Sequence, residues 1–291
     1  PGRWSRSGLA FVTVVRGWGV TERLGELLPS AVREAFSVLT QLGDAWFFFV
    51  VLAALYWFGD RRRRWGFVLG ATIGALALTL ALKGLFARPR PGETLAFAHA
   101  SGYGFPSGHA IGSTVVWGLL ALSVERAHHR VRVAAASVVV ALVGFSRLAI
   151  GVHFAVDVVV GLVVGLVYLA FVVRVVDWRP RPMFAVAAVV AASAVVVTSV
   201  GGDPGTVAAP GVDSVAAFGG AVGALVAWHA LDGRPEGTVG YVAGVVGLVV
   251  LGALSYAGLR LSLPLAAVFA GVGVAQGGIL AYPRILERVA R

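Results

Sequence analysis

Hydrophobic residues in this chain come in long unbroken runs rather than in alternating or one-faced patterns, and short arginine-bearing stretches separate the runs. A helix needs roughly 20 apolar residues to cross a bilayer core at its rise of about 1.5 Å per residue. On that criterion nine spans are predicted, near 35–58, 65–87, 109–124, 133–150, 154–173, 183–200, 214–231, 241–259 and 261–281. The first is interrupted by Thr40, Gln41 and Asp44, so that only 45–58 is continuously apolar. Ahead of it, 20–30 mixes charge with Leu24, Leu27 and Leu28, the pattern of an amphipathic helix lying on the membrane surface.

The arginines then orient the spans, because short loops rich in arginine stay on the cytoplasmic side. Four consecutive arginines at 61–64 place the first turn inside. The following inside loops are 125–132, 174–182, 232–238 and the C-terminus, which carry Arg126, Arg130, Arg132, Arg174, Arg179, Arg181, Arg234, Arg284, Arg288 and Arg291. The outside cations are Lys83, Arg88, Arg90, Arg147 and Arg260, and the N-terminal segment lies outside with five arginines held at lipid headgroups. Apart from Arg260, the outside cations of the spans and loops fall at the outer ends of the second and fourth spans, so those two ends are expected to meet.

Composition agrees with the pattern: 58% of 291 residues are apolar, 13% are charged, and mean hydropathy is +0.86, which excludes a pair of soluble domains. A net charge of +10 would otherwise suggest nucleic acid, but too little polar sequence exists to build a solvated basic face. There is no cysteine, so disulfides, thiolate zinc sites and thiol catalysis are absent. Lys83 is the single lysine. No signal peptide with a cleavage site is legible, and targeting is left undetermined.

Chemistry concentrates in three short stretches on the outside face. In Lys83-Gly-Leu-Phe-Ala-Arg88-Pro89-Arg90-Pro91 the prolines end the second span near Ala87 and leave Arg88 and Arg90 on an extended exit. Lysine and arginine at a helix end often only snorkel to the interface. In Gly104-Phe-Pro106-Ser107-Gly108-His109, Ser107 is a natural N-cap, and the amides of Gly108 and His109 point out of a helix start, where an anion is favoured. In Ser146-Arg147-Leu-Ala-Ile-Gly-Val-His153-Phe-Ala-Val-Asp157, His153 and Asp157 are four apart and are expected on one face of the fifth span. A carboxylate one turn below a membrane surface is costly unless paired or functional. Together, three cations, a helix start, two histidines and a buried carboxylate compose a phosphate site. His153, oriented by Asp157, is placed to attack phosphorus, and His109 to protonate the leaving oxygen.

These three stretches closely resemble the signature of the type 2 phosphatidic acid phosphatase family, the PAP2 and vanadium haloperoxidase superfamily. Lys83, Arg90 and Pro91 match its first part, Pro106 to His109 its second, and Ser146, Arg147, His153 and Asp157 its third. The resemblance covers roughly 35–176 and implies an all-α fold, a polytopic transmembrane helical bundle with a PAP2-like catalytic core, to which the apolar pattern adds C-terminal transmembrane helices outside the resemblance. It implies a metal-independent lipid phosphatase without cofactors. In it Lys83, Arg90 and Arg147 bind phosphate, Ser107 and Gly108 donate hydrogen bonds, His109 is the acid, His153 the nucleophile and Asp157 its partner. The expected division is an interfacial segment 1–34, a core 35–176, helices 183–282 of unassigned role, and a cytoplasmic tail 283–291.

Phosphatidate, phosphatidylglycerol phosphate and polyprenyl diphosphate all fit as amphiphilic substrates, with membrane lipids as the other partners, no nucleic acid, and an undetermined oligomeric state. A phosphotransferase with an alcohol acceptor, or a non-catalytic phosphate or lipid transporter, remain open alternatives. A serine hydrolase fails on spacing, because a nucleophile elbow needs Gly-x-Ser-x-Gly and the stretch reads Gly104-Phe-Pro-Ser107-Gly108. A soluble haloperoxidase does not suit so apolar a chain. His128 and His129 sit among arginines with only Glu125 as a carboxylate, a solvated loop rather than a metal site, and His99 and His229 are isolated.

Overall fold

The computed structural model describes residues 16–92, 94–98, 100–200, 211–232 and 237–290. The expectations for 1–15, for most of the 200–213 loop, and for His99, Arg234 and Arg291 lie outside the described residues. Among the described residues all regular structure is helical. In chain order the helices are α1 (Val20–Leu27), α2 (Ser30–Leu39), a 3-10 turn Thr40–Gly43, α3 (Ala45–Phe58), α4 (Arg62–Phe86), α5 (Gly108–Ser123), α6 (His129–Ala149), α7 (Ala155–Arg174), α8 (Pro180–Val200), α9 (Val212–Ala230), α10 (Tyr241–Arg260) and α11 (Leu265–Val289).

This is an integral membrane protein. Seven of its described helices, α4 and α6 to α11, are long and apolar enough to cross a bilayer, and an eighth span results if the broken pair Ser30–Gly43 and Ala45–Phe58 is counted as one. The expected span at 35–58 therefore breaks, and it breaks at the polar residues that interrupt its sequence: Thr40 opens the 3-10 turn and Asp44 is extended at its end. The expected span at 109–124 is also shorter than a full crossing. At 16 residues α5 is about 24 Å long, less than the roughly 30 Å of a hydrocarbon core. Most of its residues are buried within protein, so it has little surface for lipid.

The described residues form two compact units. One comprises the chain up to Asp44 together with Phe86–Leu169. Within it α6 packs against α5, α2, α1 and the 3-10 turn. The approach of α7 to α5 depends on missing side chains: a Cβ on Gly161 would stand 2.8 Å from the Ser107 carbonyl oxygen, and one on Gly165 2.7 Å from Thr114 Cβ. Residues that begin α5 are thereby set against the first two turns of α7.

The other unit comprises Ala45–Leu85 and Ala170–Arg291, of which the last residue is not described. Here α9 packs most extensively on α11, where Gly219, Gly223, Gly273 and Gly277 allow backbone-to-backbone approach. Helix α3 is tied to α11 by Trp57 Nε1 donating to the Ile279 carbonyl at 2.8 Å and Tyr56 Oη donating to the Leu280 carbonyl at 3.2 Å. Lys83 belongs to this unit, in the last turn of α4.

Candidate active site

The site in the first unit is made by how three helix ends are closed. After Phe86 the backbone leaves α4 with Ala87 at φ 45°, and the Arg88 carbonyl accepts from Gly104 N at 2.8 Å, which folds the 88–104 connection back on itself. Helix α5 opens at Ser107, whose Oγ accepts from Ala110 N at 3.4 Å, as its N-cap position leads one to expect. Ser107 N donates to the Asp157 carbonyl at 2.9 Å, joining the second motif stretch to the third through backbone alone.

The third stretch is a tight reversal between α6 and α7. Gly151 has φ 75°, and a Cβ there would stand 2.0 Å from the Leu95 carbonyl oxygen, so both conformation and space demand glycine. Phe97 N donates to the Ile150 carbonyl at 2.9 Å, and Arg33 clasps the same reversal by donating to the carbonyls of Ala149 and Leu95 at 3.1 and 2.7 Å.

His153 sits in this reversal, ahead of α7, and not on the helix face that its spacing from Asp157 predicts. The pairing survives for a different physical reason. Asp157 lies in the first turn of α7, where its Oδ2 accepts the otherwise unpaired Phe154 N–H at 3.0 Å, and this capping places the carboxylate 3.5 Å from His153 Nδ1. Both side chains are buried, His153 at 1% and Asp157 at 0% exposure.

Each histidine is accompanied by a guanidinium and a carboxylate. Arg90 Nη1 is 3.1 Å from His153 Nε2, and it also donates to the Val152 carbonyl at 3.0 Å, while Arg90 Nε reaches the carbonyls of Ser101 and Gly102. Because a guanidinium only donates, His153 Nε2 is the accepting nitrogen and its proton belongs on Nδ1, towards Asp157. On the other histidine, Asp44 Oδ1 accepts from His109 Nε2 at 2.9 Å, and Arg147 Nη1 lies 3.4 Å from the same nitrogen. Arg147 Nη1 also donates to Thr40 Oγ1 at 2.8 Å, whereas its buried Nε has no hydrogen-bond partner. Arg90 and Arg147 are close enough to repel one another. Burial lowers the Arg90 guanidinium below its ordinary range, and the Asp157 charge opposes that shift.

Of the residues expected from sequence, Arg90, Ser107, Gly108, His109, Arg147, His153 and Asp157 are therefore brought together within one unit. Lys83 is placed by its own helix in the other. Sequence reasoning missed Arg16, Thr21, Arg33, Thr40 and Asp44. Thr21 donates to the His153 carbonyl at 3.0 Å, and Arg16 Nη2 donates to Asp157 Oδ1 at 2.5 Å. The usable signal for two of them was the polar interruption at Thr40 and Asp44 inside an apolar run; the others carried none.

Comparison with known proteins agrees with the motifs. Phosphatidylglycerophosphatase B of Bacillus subtilis (strain 168) is 29% identical over 155 residues, 49% of this chain and 74% of that protein. The crystal structure of a transmembrane PAP2-type phosphatidylglycerolphosphate phosphatase from Bacillus subtilis is similar at 24% identity and a TM-score of 0.48, covering 55% of this chain and 86% of its own. That of Aquifex aeolicus LpxE is similar at 22% identity and a TM-score of 0.46, covering 53% and 93%. Residues 64–181, which hold all three motif stretches, match the family model described as the PAP2 superfamily.

Proposed function

We propose that this membrane enzyme hydrolyses the terminal phosphate of an amphiphilic lipid, without a metal, through a phosphohistidine on His153. The observation that carries the reading is the paired arrangement at the two histidines. One guanidinium lies against each reacting histidine nitrogen, and Arg147 keeps a buried Nε without a hydrogen-bond partner, a set of donors whose natural complement is a phosphoryl group.

The steps follow from the donor and acceptor roles assigned to the two histidines. Arg90 gives up the His153 Nε2 lone pair and turns to the phosphoryl oxygens, alongside Arg147, the Ser107 hydroxyl and the Gly108 amide. His153 Nε2 then forms a bond to phosphorus as the ester P–O bond breaks, and the leaving oxygen takes the proton from His109 Nε2. Asp157 holds the Nδ1 proton and balances the charge that develops on the imidazole. Neutral His109 next accepts a proton from water as the water oxygen attacks phosphorus, the P–N bond breaks, and inorganic phosphate leaves. Cations preset around the three equatorial oxygens supply the electrostatic stabilisation that phosphoryl transfer needs.

The lipid phosphatase named among the similar proteins acts on a phosphatidylglycerol phosphate, and a lipid phosphomonoester is the substrate class assigned here. We place the site at the extracytoplasmic headgroup level of the cell membrane, since the arginine-rich turn at 61–64 belongs inside. The groups that touch the phosphoryl group are assigned to 35–176, supported by Arg16, Thr21 and Arg33 from the segment ahead of it, with 183–282 as added helices.

A phosphate-release panel tests the reading. Purified protein is given lipid monophosphates and polyprenyl diphosphate, each with and without an alcohol acceptor. Free phosphate without the acceptor is the expected result. Transfer only to the alcohol indicates a phosphotransferase, and no phosphorus chemistry on any substrate indicates a binding protein.

A further inference from the structure

The PAP2-matched stretch begins at residue 64, yet a side chain from far upstream enters the site. Arg16 donates from Nη2 to Asp157 Oδ1 at 2.5 Å and from Nη1 to the Pro89 carbonyl at 3.0 Å. Its guanidinium lies 5.6 Å from the Phe105 ring centroid and 5.0 Å from that of Phe154. Pro89 belongs to the first motif stretch, Phe105 to the second, and Phe154 and Asp157 to the third. One guanidinium thus touches all three.

We infer that Arg16 is a positioning residue for the nucleophile, fixing Asp157 as an ionised carboxylate aimed at His153 and fixing the Arg90 segment over the same histidine. The inference rests on the reading of His153 as nucleophile. Asp157 is wholly buried, and an isolated carboxylate does not stay charged in such a place. Its Oδ2 is engaged by Phe154 N and faces His153, so Oδ1 is the oxygen left for a compensating cation, and Arg16 takes it. The second hydrogen bond goes to the carbonyl directly before Arg90, whose Nη1 covers His153 Nε2. Two aromatic faces flank the guanidinium, a geometry that suits a planar cation and not an ammonium. Thr21, in the helix that follows, adds a hydrogen bond to the His153 carbonyl, so the upstream segment grips the nucleophile from both its backbone and its partner.

The test is steady-state phosphate release from a lipid monophosphate by the full chain in detergent, for wild type, Arg16→Gln, Arg16→Lys and His153→Ala, each first checked for a cooperative thermal transition. A positioning role lowers kcat about 100-fold in Arg16→Gln and about tenfold in Arg16→Lys, with KM within about threefold in both. A kcat within about twofold of wild type, or a raised KM at unchanged kcat, overturns the inference. Should Arg16→Gln fail to fold because a buried carboxylate has lost its cation, Arg16→Lys, which keeps the charge, decides alone by the same limits. His153→Ala separates the two claims. Normal turnover there removes the nucleophile reading itself, whereas an inactive His153→Ala beside normal Arg16 variants removes only the inference about Arg16.

Discussion

Asp44 Oδ1 accepts a hydrogen bond from His109 Nε2 at 2.9 Å, so the histidine that begins α5 has a carboxylate partner delivered from ahead of the PAP2-matched stretch. His153 and Asp157 form the matching pair, 3.5 Å apart. The two pairs differ in exposure. Asp157 has none, while the Asp44 side chain is 31% exposed. In the proposed mechanism its carboxylate is the acceptor facing the His109 Nε2 proton.

Asp44→Asn keeps an acceptor for that proton and removes the charge. It should lower kcat about tenfold, within the range of a weakened general acid. KM should not rise, because a like charge next to the incoming phosphate has also gone. Steady-state phosphate release measures both, and an unchanged kcat contradicts the role.

Much of this was legible in the sequence. The long apolar runs located the helices, and three short motifs located seven residues of one site, because hydrophobic period and cap chemistry are local properties. The upstream contributors were not legible. Arg16, Thr21 and Arg33 act through atoms of residues 62 or more positions away, and in a chain of this composition a charged N-terminal segment reads as interfacial. His153 was expected on a helix because i, i+4 spacing is the helical signature, but the pair is made instead by Asp157 capping α7, which the same spacing also permits.

Arg147→Lys should reduce kcat/KM about 100-fold, since a compact ammonium lacks the planar fork in which Nη1 bonds Thr40 Oγ1 while the separate Nε remains to donate. Retention of more than about a third of wild-type kcat/KM contradicts a forked contact.

Gly161→Leu should separate α7 from the start of α5, because its first side-chain atom meets the Ser107 carbonyl at 2.8 Å and Ala110 Cβ at 2.9 Å. A loss of about 1–3 kcal/mol from overpacking is expected, seen as a lowered Tm in detergent together with lost turnover. Normal Tm and turnover contradict the packing described for this pair.

The absence of cysteine makes sidedness directly measurable. Tyr103→Cys, at an exposed position beside the site, should react with a membrane-impermeant maleimide added outside intact cells, and Arg63→Cys only after permeabilisation. The reverse pattern contradicts the extracytoplasmic assignment.

Catalysis by guanidinium and imidazole groups should persist in EDTA. Loss of turnover on chelation, restored by magnesium, contradicts a metal-independent mechanism.

The central claim is a covalent phosphate on His153, and rapid quenching tests it most directly. Wild-type protein turning over a lipid labelled in its phosphate is quenched in alkali, digested and mapped. The account predicts an acid-labile, alkali-stable label on the peptide that carries His153, absent from His153→Ala. Full-rate phosphate release from His153→Ala, or label found on Ser107 instead, contradicts it.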